Sequence, residues 1–274
     1  MRVALLQMTS GDDPAANRGT ILTAMEEARA IGADMLLTPE VSNCLSSSRT
    51  HQNAVLALEE EDETLAAVQE AAQGLWVLLG SLAVKTEDAD GRFANRSFLI
   101  DGTGSIVARY DKMHMFDVTL SDTESYRESA GYRPGTRAVV ADTPWGKIGL
   151  SICYDLRFAY LYRALAKAGA AFLTVPAAFA VPTGKAHWHT LLRARAIETG
   201  CFVFAPAQVG SHGGGTGALR ETYGHSLVVA PWGEVLADAG QERGLTFVDI
   251  DPAQIEKARH RVPALTHDRE FTGP

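Results

Sequence analysis

Lys147-Ile148-Gly149-Leu150-Ser151-Ile152-Cys153-Tyr154-Asp155-Leu156-Arg157-Phe158 decides how this chain reads. Its first half is a short apolar run, the pattern of a buried strand. Its second half breaks that run with an acid, a base and two aromatic residues. Cys153 therefore sits where a strand ends and a helix is about to begin. A thiol there can be exposed at the sheet's edge, and a helix N-terminus favours its thiolate. Glu40 closes the strand-like Met35-Leu36-Leu37-Thr38-Pro39, and Lys112 follows Ile106-Val107-Ala108-Arg109-Tyr110-Asp111. An acid, a cation and a thiol at three strand ends make one possible active site.

Outward from these points, strands and helices alternate. Residues 2–8, 35–38, 75–84, 172–175, 202–205 and 245–250 read as strands. Residues 17–31, 60–73, 160–170, 187–199 and 252–261 read as helices, the first with Ile21, Leu22, Met25 and Ala28 at helical spacing. Three pairs of apolar runs flank turn sequences and read as hairpins: 96–100 with 105–110, 138–142 with 147–152, and 226–230 with 235–237. Pro-Trp-Gly stands in two of these turns, at 144–146 and 231–233. Two similar hairpins explain that repeat as well as a duplicated half-fold does. No Pro/Ser-rich linker divides the chain. The expectation is one α/β domain over residues 1–274, with two mixed sheets packed face to face and helices outside.

The chain has 274 residues, 46% of them hydrophobic, enough for one large core. Its 25 basic and 33 acidic residues give a net charge of −8, which argues against nucleic acid as the main partner. The N-terminal residues read as a strand and not as a signal peptide. No stretch approaches the roughly 20 apolar residues that span a bilayer. Cys44, Cys153 and Cys201 are odd in number and far apart, so neither a disulfide framework nor a cysteine metal site is expected. A reduced cytoplasm fits best.

Pro39-Glu40, Tyr110-Asp111-Lys112-Met113-His114 and Cys153-Tyr154-Asp155-Leu156-Arg157-Phe158 together resemble the three signature segments of the nitrilase superfamily of carbon–nitrogen hydrolases. The resemblance runs from Val3-Ala4-Leu5-Leu6-Gln7 to Val248-Asp249-Ile250-Asp251. It implies a four-layer α-β-β-α sandwich, a catalytic triad of Glu40, Lys112 and Cys153, no metal or organic cofactor, and a homodimer or higher oligomer. Glu128, in Tyr126-Arg127-Glu128-Ser129, resembles a second glutamate that the family places near the active site. Leu191–Thr199, Ala207-Gln208-Val209-Gly210 and Tyr223-Gly224-His225-Ser226-Leu227-Val228-Val229 resemble most the deaminated glutathione amidase branch. The ω-amidases are the alternative, and a catalytically silent scaffold of the same fold is a second one.

The chemistry implied is hydrolysis of a small linear amide through a thioester. Glu40 takes the thiol proton as general base, for which a raised pKa is expected. Lys112 and the backbone N–H of Tyr154 stabilise the oxyanion. A papain-like alternative would use His187 or His225 as base, but the strand-end Glu and Lys make it unnecessary. Cys44 and Cys201 read as buried and inert, and Glu124 as exposed loop charge. Asp155 and Arg157 read more readily as an internal ion pair holding the nucleophile turn than as a substrate carboxylate site at Arg157. Candidate substrate contacts are Phe179, Lys185, His187, His212, Arg220 and His225. The G-x-G-x-x-A string at 213–218 lacks the following helix that a dinucleotide site needs, and is expected at the substrate entrance.

Overall fold

The computed structural model describes residues 1–122, 124–213 and 219–273. Its strands are β1 (Arg2–Gln7), β2 (Met35–Leu37), β3 (Trp76–Val84), β4 (Ala94–Ile100), β5 (Ile106–Asp111), β6 (Asp117–Thr119), β7 (Ser125–Arg127), β8 (Val139–Ala141), β9 (Lys147–Leu150), β10 (Ala170–Thr174), β11 (Phe202–Ala205), β12 (Val209–His212), β13 (Arg220–Tyr223), β14 (Leu227–Val229), β15 (Val235–Asp238) and β16 (Gly244–Asp249). The helices are α1 (Pro14–Ala30), α2 (Arg49–Val55), α3 (Glu63–Ala71), α4 (Ala159–Lys167), α5 (Val181–Thr199) and α6 (Ala253–Arg261).

Two six-stranded sheets, ordered β16-β1-β2-β3-β4-β5 and β15-β14-β11-β10-β9-β8, form the middle layers. Side chains alternate across a strand. In β1, Val3 and Leu5 join Met35 and Leu37 in the core shared with Ile148, Leu150 and Phe172 of the second sheet. Ala4 and Leu6 turn outward onto Ile21, Met25 and Ala28 of α1 and Leu65 and Val68 of α3. Helices α4 and α5 cover the outer face of the second sheet. The result is the expected four-layer sandwich.

Both sheets repeat one pairing pattern. β16-β1 is antiparallel, β1-β2-β3 parallel, and β3-β4-β5 antiparallel. β8-β9 is likewise antiparallel, β9-β10-β11 parallel, and β11-β14-β15 antiparallel. The Pro-Trp-Gly turns join β8 to β9 and β14 to β15, which are not equivalent places in that repeat. The tripeptide therefore marks two similar hairpins and not the duplication.

Some expected boundaries moved. Helix α5 starts at Val181 and not at residue 187. Pro182 occupies its first turn, where a missing N–H costs nothing. Gly184 lies inside it because any Cβ there would overlap the ring of Tyr223. The stretch 60–73 divides into a 3-10 turn, Glu59–Glu61, and α3, which Asp62 caps through the Leu65 N–H at 2.8 Å. Helix α2 and the small hairpins β6-β7 and β12-β13 gave no periodic signal because they are short and largely polar.

Candidate active site

The sheets' strand ends supply the site. Glu40 lies beyond β2 and Lys112 immediately after β5, both from the first sheet. Cys153 lies beyond β9 and Ala178 beyond β10, both from the second. All four strands run the same way within their sheets, so these residues collect where the sheets meet. Gly80 of β3 permits the approach. A Cβ there would overlap the Thr38 carbonyl oxygen and press Pro176 from the opposite sheet.

Lys112, 2% exposed, donates through Nζ to Glu40 Oε1 at 2.8 Å and to Glu128 Oε1 and Oε2 at 2.9 and 2.8 Å. Asn95 Nδ2 donates to the same Glu40 oxygen at 2.9 Å, and the Ala178 N–H donates to Glu40 Oε2 at 2.8 Å. Glu128 Oε2 also accepts the Phe116 N–H at 2.6 Å. Gln208, fully buried, ties the Glu40 carbonyl to Ser10. Four donors thus fix the general position and tilt of the Glu40 carboxylate and its backbone.

Cys153 has φ +48°, a left-handed conformation costly for a residue with a Cβ. The surroundings enforce it. Its N–H donates to Pro176 O at 2.9 Å. Asp155, wholly buried, accepts the Ile152 N–H at 2.9 Å, the Tyr110 hydroxyl at 2.6 Å and the His114 N–H at 3.1 Å, and lies 2.6 Å from His114 Nδ1. Arg195 of α5 donates to Leu156 O at 3.0 and 2.8 Å from the other side. Tyr154 follows in the first turn of the short 3-10 helix Cys153–Arg157, where N–H groups lack intrahelical partners.

Protonation differs from expectation in two respects. Burial alone would raise Glu40, but the Lys112 charge and hydrogen bond, helped by the Arg220 charge, overcome it and hold the carboxyl below its ordinary value. The thiol of Cys153 is not favoured as thiolate. Burial and the Glu40 charge push it well above its ordinary value, against the pull of Lys112. A five-residue 3-10 turn offers too little dipole to reverse this. For Lys112, burial opposes the charge, yet Glu128 and then Glu40 hold the ammonium well above its usual range. At neutral pH Glu40 is therefore a carboxylate, Lys112 an ammonium and Cys153 a neutral thiol. The Glu40 charge acts on this thiol across the cavity that both line, so an ionised carboxylate faces the group whose proton it would take.

A cavity of about 600 Å³ opens over Cys153 and Glu40. Phe116, Tyr126, Tyr154, Phe179, His212 and Arg220 line it. Of the six expected substrate contacts, Phe179, His212 and Arg220 reach this cavity, while Lys185, His187 and His225 do not. Lys185 and His187 face solvent from the outer side of α5, with His187 Nδ1 3.3 Å from Arg157 Nη2. His225 turns to Asp238. The papain-like alternative loses its geometry, since neither histidine it needs lines the cavity. His212 Nδ1 donates to Ser10 O at 2.9 Å and Nε2 lies 2.7 Å from Thr222 Oγ1, and burial lowers it to about 4, so it is neutral and offers no cation. Gly213 and Leu219 line the cavity, but residues 214–218 of the glycine-rich string lie outside the described residues.

The expected Asp155–Arg157 ion pair is absent, because Asp155 is saturated by Ile152, Tyr110 and His114. Arg157 instead lies 5.9 Å from the Tyr154 ring centroid and 5.7 Å from that of Phe179. Arg220 donates to Ala178 O at 2.7 Å, and its buried Nε has no hydrogen-bond partner. The sequence reading did not find Asn95, Arg195 or Gln208. Asn95 and Gln208 are buried amides and Arg195 a buried cation, and nothing in their spacing separates them from surface polar residues.

A sequence profile of the family described as Carbon-nitrogen hydrolase matches residues 2–260. Deaminated glutathione amidase of Yersinia enterocolitica is 38% identical over 271 residues, 97% of this chain and 92% of that one. The crystal structure of the C. elegans NitFhit protein superposes with a TM-score of 0.89 at 35% identity, over 98% of this chain and 65% of that chain. A mutant of the amidase from Nesterenkonia sp. AN1, in a structure showing Michael addition of acrylamide at the active site cysteine, gives a TM-score of 0.77 at 27% identity, over 96% of this chain and 98% of that chain.

Proposed function

Because the chain belongs to the carbon–nitrogen hydrolase family, we propose that it hydrolyses a linear amide of the deaminated glutathione type with Cys153 as nucleophile, Glu40 as base and Lys112 as oxyanion partner. The observation that carries this reading is an ionised Glu40, held so by Lys112 at 2.8 Å, lining the same cavity as a neutral Cys153 thiol.

Cys153 Sγ attacks the amide carbonyl carbon as its proton passes to Glu40. The carbonyl oxygen takes up negative charge beside Lys112 Nζ and the Tyr154 N–H. The C–N bond breaks, the nitrogen takes the proton from Glu40, and ammonia leaves a thioester on Cys153. Water then adds to the thioester with Glu40 again accepting a proton, and the acid departs as the thiol reforms. Glu128 keeps Lys112 charged and aimed throughout.

The carboxylates of the substrate need cationic anchors, since net charge −8 repels a carboxylate from afar. Arg220, with an unpartnered buried Nε in the cavity wall, suits that task. Arg157 is the second candidate, because no carboxylate of the protein pairs with it among the described residues. Three unpaired buried cysteines suit a reducing cytoplasm, and the family resemblance carries a homodimer with it.

The test compares kcat/KM for α-ketoglutaramate with and without a glycine-terminated peptide tail, at fixed ionic strength. The tailed amide is expected to be faster. Equal or reversed values would assign the chain to ω-amidase chemistry, and no turnover of any amide in a broader panel would leave a silent scaffold.

A further inference from the structure

We propose that His189, His225 and Asp238 form a surface site for one divalent transition metal of the zinc type, separate from the catalytic cavity. The three side chains come from α5, from the residue pair before β14, and from β15, so the site joins a helix to the hairpin beneath it. One ligand atom from each lies within 4.8 Å of the others. His189 Nε2 is 2.9 Å from Asp238 Oδ2, and His225 Nδ1 is 2.9 Å from Oδ1 and 3.1 Å from Oδ2. None of the three lines the cavity over Cys153.

The donor set decides the ligand class. Two imidazoles and one carboxylate suit zinc and its first-row neighbours, whereas calcium and magnesium take oxygen ligands. Zinc bonds of about 2.0–2.1 Å in a tetrahedron place ligand atoms roughly 3.3 Å apart. The two His–Asp distances need only a few tenths of an ångström of opening, and the two imidazole nitrogens, within 4.8 Å of each other, need to close by up to about 1.5 Å. Each imidazole then keeps its proton on its other nitrogen. Side-chain exposures of 35% for His189, 21% for His225 and 32% for Asp238 leave room for a water in the fourth position.

The protein holds these groups in place, as a ligand set requires. His225 stands at φ +57°, with its N–H on Gly240 O at 2.7 Å and its own carbonyl receiving Trp188 Nε1 at 2.8 Å. Its ring stacks on Tyr223 at 4.3 Å between centroids. Asp238 Oδ1 accepts the Gly240 N–H at 2.9 Å. Three residues from separate elements converge, and two of them are fixed by backbone bonds that serve no strand or helix.

The test is calorimetric titration of the full chain with zinc chloride, in the Cys153→Ala background so that the reactive thiol cannot compete. One saturable equivalent per chain is expected. His189→Gln removes one imidazole, and His225→Asn keeps a residue tolerant of the left-handed backbone. Each is expected to weaken zinc binding at least about 10-fold, with circular dichroism unchanged. Cobalt in place of zinc should give visible bands that vanish in both variants. Absence of saturable binding, or binding undiminished in both folded variants, overturns the proposal.

Discussion

Lys112 and Glu128 meet through both carboxylate oxygens, at 2.9 and 2.8 Å, so one carboxylate grips the ammonium twice. Glu128 is the largest of the charges that hold Lys112 protonated. Glu128→Gln should therefore lower kcat by up to about 10²-fold through loss of aim, with KM nearly kept. A second readout separates positioning from general damage. With one carboxylate gone, the Lys112 pKa falls, so the alkaline limb of kcat/KM should move to lower pH. An unshifted limb would show that Glu128 serves only the local fold.

Removing Cys153, Glu40 or Lys112 singly tests the roles proposed for them. Cys153→Ala should abolish turnover, while Cys44→Ala and Cys201→Ala keep most of it. Glu40→Gln should cost at least about 10²-fold, the scale of a general base. Lys112→Met should lower kcat by roughly 10²–10³-fold, the scale of one oxyanion donor. A rise in KM with kcat kept would make the lysine a binding group instead.

The resting thiol gives a spectroscopic prediction. With Cys153 pushed above its ordinary value and Glu40 held below its own, the acid limb of kcat/KM should lie below the ordinary carboxylate range. The difference in thiolate ultraviolet absorbance between parent and Cys153→Ala should be nil at neutral pH. A thiolate signal there would mean that the proton already rests on Glu40 before substrate arrives.

His212 links pH to stability. Its folded value of about 4 lies below the ordinary 6.5, so its contribution is complete above about 6.5 and lost as pH falls toward 4. At most roughly 3 kcal/mol depends on this group. Chemical denaturation of His212→Gln should show a shallower loss of stability across that window than the parent. Parallel curves would place the titration elsewhere.

Asp155 is the keystone of the nucleophile turn. Asp155→Ala strands the buried Ile152 N–H and the Tyr110 hydroxyl, each at a cost of about 1–3 kcal/mol. Asp155→Asn keeps an acceptor for part of that set and should recover part of the stability in denaturant titrations. Equal losses would mean that the charge, and not the hydrogen bonds, holds the turn.

The layered fold was legible because strands such as β1 and β3 are apolar runs and α1 carries a helical stripe. That Glu40, Lys112 and Cys153 would gather was legible from their places near strand ends and from the family resemblance, and the three line one cavity. What escaped was set by contacts far apart in sequence. Glu40 looked like an acid whose burial would raise it, and Lys112, 72 residues away, does most to reverse that sign. Asp155 and Arg157 looked like a pair because they are neighbours, yet the buried partners of Asp155 come from residues 110 and 114. Lys185 and His187 face solvent from α5 and His225 turns to Asp238, outcomes that spacing along the chain does not reveal.

The meeting of Glu40 and Lys112 from one sheet with Cys153 and Ala178 from the other has a consequence for assembly. Neither half of the duplicated architecture owns a working set of groups. During synthesis the first sheet's central strands emerge without their thiol, and the second half brings a thiol without its base. Chemistry is then switched on in one event, when the two layers close, so recovery of turnover after denaturant dilution should report the docking of the halves and lag behind the return of helical and strand signal. A nascent or half-unfolded chain carries a cysteine with nothing beside it to awaken it.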